Sequence, residues 1–428
     1  MLEYLVDRAP HCSSRSEFVV GDVREDSLKL TLHVLCSAGF GVKLPFKPAP
    51  EATAKDVEEL FRDSQSPPSG YHFTFRSVME YSSLHPMSAL IANRVVPKWI
   101  PRALLPFYHA DFKAYDDLGR YLRTLVTAAG IKKPHALHNL LEGIVGAGKI
   151  KSGNGQDSTG SAISQNDGLS EAEILGNLYI FTVAGHETTA TTFRYAMTLL
   201  ALHQDIQTWL CEEIWEAIGN EPEDPSEWDY NRVFPKLVAP LCVMLETLRL
   251  YPPVVTIPKL VANSTAVLTY KNQKYFLPPQ TYVNINVTGV HYAEEYWGSD
   301  ASLFNPQRWD GRNTDSALAK NDAIEGLAAP GLEHASIHKP IRGSYAPFSD
   351  GVRACLGKKF AQVEFVAAIT VLFRDYRVGL APSNTKETAK QIQQRAARAL
   401  QCNSSFLTLG MREDVPLFFQ KRETGQQR

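Results

Sequence analysis

Ten residues late in the chain, Phe348-Ser349-Asp350-Gly351-Val352-Arg353-Ala354-Cys355-Leu356-Gly357, constrain what it can fold into more than any other stretch. Their phenylalanine, two glycines, arginine and cysteine are spaced to present one thiolate, Cys355, as a ligand. Phe348 is placed to pack over the sulfur and exclude water, and Gly351 permits a tight turn that brings backbone close to a ligand. Arg353 offers a charged fork to a carboxylate. The run from Leu356 to Ile369 reads as a helix, so its first N–H groups point toward the sulfur and moderate its charge. A cysteine by itself is usually a small core hydrophobe; the constellation around it is what points to ligation.

Three further motifs stand upstream. Ala184-Gly185-His186-Glu187-Thr188-Thr189 lies in a helical pattern that opens on the capping box Ser170-Glu171-Ala172-Glu173 and runs to about His203. At about 1.5 Å per residue that helix is roughly 50 Å long, a rod able to cross the molecule. Gly185 lets a flat ligand approach the backbone, and Thr188 bends or opens the local hydrogen bonding. His186-Glu187 begins a zinc-protease H-E-x-x-H pattern, but Ala190 stands where the second His is required. Glu246 and Arg249 share a helix face at i, i+3 and are placed to meet Arg308 of Phe304-Asn305-Pro306-Gln307-Arg308-Trp309. Exposed, such a pair contributes little. Buried and networked, the three charges fix the loop that leads into the Cys355 segment.

Together the four motifs resemble those of the cytochrome P-450 family, F-x-x-G-x-R-x-C-x-G, E-x-x-R, F-x-P-x-R-[WF] and A-G-x-[DE]-T-T, with every fixed position filled and in the family's order. The resemblance covers most of the chain. It implies a mainly α fold with a small β portion and a haem b cofactor (iron protoporphyrin IX) whose iron takes Cys355 as axial ligand. It implies that Phe348, Gly351, Arg353 and Gly357 surround that ligand, with Ala184 and Gly185 against the macrocycle. Lys259 falls where the family often places a basic residue near a propionate. The implied reaction is a monooxygenation: one oxygen atom of O2 enters a small, apolar organic substrate, electrons come from NADPH-cytochrome P-450 reductase, and Glu187 and Thr188 deliver protons. Glu246, Arg249 and Arg308 take a scaffold role, and Lys358 and Lys359 face the acidic surface of the reductase. The chain is similar to filamentous-fungal microsomal members, many of which act on secondary metabolites at the cytosolic face of the endoplasmic reticulum.

Eukaryotic members begin with a membrane anchor, a proline-rich hinge and a W-x-x-x-R helix that holds a propionate. Residues 26–40 resemble the family's helix E, so residues 1–428 are expected to form one catalytic domain lacking the anchor and the first helices and strands. No apolar run is long enough to span a membrane, which makes the chain as written soluble or peripheral. Residues 95–107 combine apolar side chains with three prolines and the nearby Arg94, Lys98 and Arg102, and fall by resemblance between helices F and G. A packed surface loop and a peripheral membrane contact both fit them. Residues 149–168 read as a flexible linker. Just upstream, residues 143–150 nearly spell a phosphate-binding loop, yet Ile150 takes the place of the magnesium-binding hydroxyl. Strand patterns are expected at 265–270 and 281–287.

With 44 Lys and Arg against 46 Asp and Glu, the chain has no bulk charge to attract nucleic acid. Six scattered cysteines have neither zinc-site spacing nor the density of a disulfide scaffold. Two other readings stay open: a truncated haem-binding or non-haem pseudo-enzyme, and an oxygen-independent isomerase or dehydratase. Relatives of the latter kind tend to lose the acid–Thr pair that Glu187-Thr188 keeps.

Overall fold

A computed structural model describes residues 16–47, 57–85, 96–97, 99–131, 140–141, 143–144, 169–316, 336–384, 386–405 and 408–422. The linker expected at 149–168 and most of the 143–150 motif lie outside the described residues, as do Arg94, Val95 and Lys98. The chain divides into two compact units, one built on Glu25–Ala190 and the other on Thr191–Arg428 with the segment that ends at Arg24.

In the first unit, α1 (Arg24–Val34) continues into a π-helical turn, Leu35–Gly39. Gly41, at φ +71°, ends this helix. Its N–H donates to Ser37 O at 3.1 Å while Val42 N–H reaches Cys36 O at 2.9 Å, so orphan carbonyls are satisfied by a left-handed cap. Next come α2 (Val57–Phe61), α3 (Phe75–Leu84) and α4 (His109–Ile131). Phe61, Phe75 and Tyr121 meet edge-on, 4.5–5.4 Å between centroids, and form the centre of this core. Asp117 of α4, fully buried, accepts from His72 N–H at 2.6 Å and Phe73 N–H at 2.9 Å, pinning the chain just before α3. The long helix α5 (Glu171–Leu202) opens on the expected capping box: Ser170 N–H donates to Glu173 Oε2 at 2.7 Å and Glu173 N–H to Ser170 Oγ at 3.3 Å. Its 32 residues make a rod of about 48 Å.

The second unit takes α5 from Thr191 onward, followed by α6 (Gln204–Ile218), α7 (Tyr230–Val233) and α8 (Val238–Leu250). Every residue of α8 is buried, so it is the unit's interior helix and is apolar all round except for its charges. A three-stranded antiparallel sheet is ordered β1 (Glu17–Val20), β9 (Leu417–Lys421), β6 (Tyr376–Leu380). Phe18 and Phe419, paired in its register, stack at 5.0 Å. Two ribbons lie between α8 and α9 (Val287–His291): β2 (Thr256–Leu260) with β5 (Tyr282–Asn286), and β3 (Ala266–Tyr270) with β4 (Gln273–Leu277). The remaining elements are α10 (Glu294–Trp297), α11 (Lys358–Asp375), α12 (Ala389–Gln401) and a ribbon of β7 (Asn403–Ser405) and β8 (Leu409–Met411). The architecture is mainly α with a small β portion, as expected. No helix among the described residues is long and apolar enough to cross a membrane.

Candidate functional site

The loop that carries Cys355 is bent by two residues in the left-handed region, Ser349 at φ +59° and Gly351 at φ +77°. Glycine adopts that conformation without penalty, whereas Ser349 holds it at a cost. The bend lets Cys355 N–H donate to Phe348 O at 2.8 Å and Ala354 N–H to Gly351 O at 3.0 Å. Asp350 braces the same bend: Oδ1 accepts from Gly351 N–H at 2.6 Å and Oδ2 from Arg342 Nε at 3.2 Å. Those bonds hold its carboxyl below the usual carboxylate range. Two residues past Cys355, Gly357 precedes α11, whose N-terminus no side chain caps. A Cβ on Gly357 would sit 4.0 Å from Cys355 Sγ, so glycine leaves that flank of the sulfur open.

Exposure separates Cys355 from the other described cysteines. Cys36, Cys211 and Cys242 are buried, and burial pushes their thiols up, to about 12 and about 11 for the first two and well above the ordinary thiol value for Cys242. Cys355 is exposed, beside exposed Val352 and Leu356. Arg353 is exposed and Lys259, in β2, half-buried; neither side chain makes an ion pair or hydrogen bond to another described residue.

Behind the loop stands a buried charge cluster. Arg249 grips Glu246 through two bonds of 2.8 Å, and both side chains are 0% exposed. Arg308 Nε donates to Glu246 Oε1 at 3.1 Å and Trp309 Nε1 to Glu246 Oε2 at 3.0 Å. Arg308 also pairs with Asp300 at 2.8 Å, so two guanidinium groups face two carboxylates. The remaining Arg249 donors reach the carbonyls of His291, Ala301 and Leu303. Glu246, Arg249 and Arg308 thus form a buried network and not a surface ion pair.

In the first unit, Ala184 to Thr189 lie on unbroken α-helix, without the opening expected at Thr188. Ala184 is exposed, while Gly185, Glu187 and Thr188 are half-buried. The bare side of Gly185 faces Leu35, whose Cδ2 is 3.5 Å from where a Cβ would stand. Thr188 Oγ1 donates back to Ala184 O at 2.9 Å. His186 is buried, with Nδ1 2.7 Å from Thr182 O, and burial lowers its pKa. Its carbonyl accepts from Thr31 Oγ1 at 2.9 Å, which joins α5 to α1.

The motifs did not announce His291, Tyr345 or Asp300. His291 is fully buried, with Nδ1 2.9 Å from Arg249 O and Nε2 accepting Ala346 N–H at 2.9 Å. Burial is the main reason its pKa falls to about 4. No local spacing marks it; the only available signal was that a buried Arg249 must find acceptors beyond Glu246.

The family model described as Cytochrome P-450 matches residues 154–399, more than half of the chain. The chain belongs to the cytochrome P-450 family. A cytochrome P-450 monooxygenase of Arthrobotrys oligospora is 31% identical over 415 residues, which are 94% of this chain and 66% of the relative. The phomenoic acid biosynthesis cluster cytochrome P-450 monooxygenase of Leptosphaeria maculans is 28% identical over 226 residues, 49% of this chain and 35% of the relative. A crystal structure of a cytochrome P-450 superposes with a TM-score of 0.61 at 18% identity, covering 98% of this chain and 72% of that one, and shows the same fold. The chain thus spans just under two thirds of the length of its Arthrobotrys relative.

Membership in the cytochrome P-450 family implies a haem cofactor, and the residues present fit one. An exposed thiol is flanked by Val352 and by Leu356, which is 77% exposed, so apolar surface and sulfur face the same solvent. A flat apolar macrocycle would cover that surface. Arg353 and Lys259, cations without a described partner, suit its propionates.

Proposed function

We propose that the chain is a haem-thiolate monooxygenase that inserts one atom of O2 into a small, apolar organic substrate, with haem b on Cys355 and electrons from NADPH-cytochrome P-450 reductase. The observation that carries this reading is the exposed Cys355 on a loop bent by Ser349 and Gly351. Haem held there supplies the activation of dioxygen, and a thiolate ligand favours cleavage of the O–O bond. The chain's own residues position and tune. Cys355 supplies the thiolate, Gly357 keeps one flank of the sulfur open, and the Glu246–Arg249–Arg308 cluster stiffens the ground behind the loop. Arg353 and Lys259 hold the propionates. Glu187 and Thr188 pass protons, which a carboxylate and a hydroxyl that both accepts and donates are equipped to do. Similarity to fungal monooxygenases, one named for phomenoic acid biosynthesis, supports a secondary-metabolite substrate.

The test is the carbon monoxide spectrum of the reduced, haem-loaded chain, which should show the red-shifted Soret band of thiolate ligation. Retention of that band in Cys355→Ala would sink the reading. Thr188→Ala should keep the band while diverting electrons from product to peroxide and water; equal product per NADPH in mutant and wild type removes the proton-delivery role.

For location, the reading is contact with a membrane surface through Trp99, Leu104 and Phe107, which are 81%, 70% and 95% exposed. Vesicle flotation that is unchanged when Trp99 and Phe107 are both made Ser would exclude it.

A further inference from the structure

His291 sits at the end of α9 with its ring stacked on Tyr345 at 5.3 Å and set edge-on to Trp297 at 6.5 Å. Its nitrogens bridge two stretches of main chain that are far apart in sequence. The Arg249 carbonyl can only accept, so Nδ1 carries the proton and donates to it at 2.9 Å. Nε2 is left as an acceptor and takes Ala346 N–H at 2.9 Å. Arg249 Nη1 donates in return to the His291 carbonyl at 2.8 Å. Beside this bridge, Tyr345 Oη donates to Leu245 O at 3.1 Å. Ala346 stands where the Cys355 loop begins: its carbonyl accepts from Ser349 N–H at 3.1 Å, and two residues later Phe348 O accepts Cys355 N–H at 2.8 Å.

We propose that His291 is a positioning residue for Cys355, a neutral imidazole that transmits the rigidity of the buried charge cluster to the loop presenting the thiolate. The inference rests on the haem-thiolate reading above. Only a ring with one N–H and one bare nitrogen satisfies both contacts, because imidazolium would turn a second donor onto Ala346 N–H. The charged groups around it, Arg249 and Glu246, act on the ring in opposite directions. Tyr345, the other titratable group against it, is held well above its usual value by burial and stays neutral.

The experiment compares His291→Asn and His291→Gln in the full 428-residue chain. Asn retains a donor near the Nδ1 position and lacks an acceptor at Nε2, whereas Gln reaches the Nε2 position with its amide oxygen. Hydrogen exchange of the haem-free chain is followed on peptides covering 342–356 and 238–250, and the carbon monoxide spectrum is taken after haem loading. His291→Asn should speed exchange around Ala346 by about tenfold, the effect of one lost buried hydrogen bond, leave α8 protected, and lower the red-shifted fraction of the Soret band. His291→Gln keeps the Ala346 contact and loses the one to Arg249, so it should restore both readouts in part. Wild-type behaviour in His291→Asn, equal loosening of α8, or no rescue by Gln overturns the proposal. Failure of the haem-thiolate reading looks different: Cys355→Ala would then keep the red-shifted band whatever His291 does.

Discussion

Glu364, on α11, is 7% exposed, and neither carboxylate oxygen has a hydrogen-bond partner among the described residues. Burial alone lifts its pKa from 4.5 to about 8. The folded-state value therefore lies above the unfolded one, and the unfolded chain gives up this proton first. Stability is fully present below about pH 4.5 and is lost as pH rises toward 8, by on the order of 3–5 kcal/mol. Glu364→Gln removes the ionisation without changing the shape. Denaturant midpoints should match wild type at pH 5 and exceed it at pH 8; equal midpoints at both would show that this carboxyl is solvated or paired. His291 works in the other direction, since its pKa is lowered from 6.5 to about 4 and its contribution is lost as pH falls through that window. The two slopes are separable by mutating one residue at a time.

At the scale of elements, the cluster under the Cys355 loop joins α8 to the segment running from α9 to Trp309. Arg249 makes five hydrogen bonds, two to Glu246 and three to carbonyls of His291, Ala301 and Leu303. A lysine there offers three donors from a single point and reaches at most part of that set. Arg249→Lys is expected to destabilise by about 2–4 kcal/mol, since buried carbonyls and half of a buried carboxylate lose partners. The check is a denaturation midpoint together with the amount of haem retained on purification. A midpoint shift below about 0.5 kcal/mol, the usual range for surface changes, would mean that the cluster is plastic.

For the whole molecule, the balance of charges leaves partner choice to local patches. Lys358 and Lys359 open α11, with Lys358 Nζ 5.7 Å from the centre of the Phe348 ring and Lys359 Nζ 4.9 Å from that of Phe234. Such lysines keep their charge at the surface while being held in place. Lys358→Glu with Lys359→Glu should slow reduction by the proposed NADPH-cytochrome P-450 reductase at low ionic strength and much less at high, because screening removes steering. A loss that does not depend on salt would place docking elsewhere. The β2–β5 and β3–β4 ribbons expose Val267, Leu268, Phe276 and Tyr282, each more than half accessible. Apolar ribbons with open edges promote self-association. Light scattering at micromolar concentration should therefore show oligomers that fall away when Leu268 and Phe276 are both made Thr.

The sequence by itself determined the parts whose logic is local. Capping at Ser170, the spacing of Glu246 and Arg249, the glycine at position 351 and the length of α5 all depend on residues within a few turns of one another, and each stands in the structure as read. Strands near 265–270 and 281–287 also followed from pattern, shortened by one residue at their starts and, for the second, one at its end. β4 did not, because its hairpin turns on Lys271 and Asn272 at φ +47° and +63°, without the glycine that usually marks such a turn. What only the tertiary structure decided is burial and the pairing it forces. His291 is an ordinary residue until α8 and the Cys355 loop close on both of its nitrogens. Glu364 is an ordinary helical carboxylate until packing removes its water. Desolvation is set by atoms brought together from distant parts of the chain, so no window of sequence contains it.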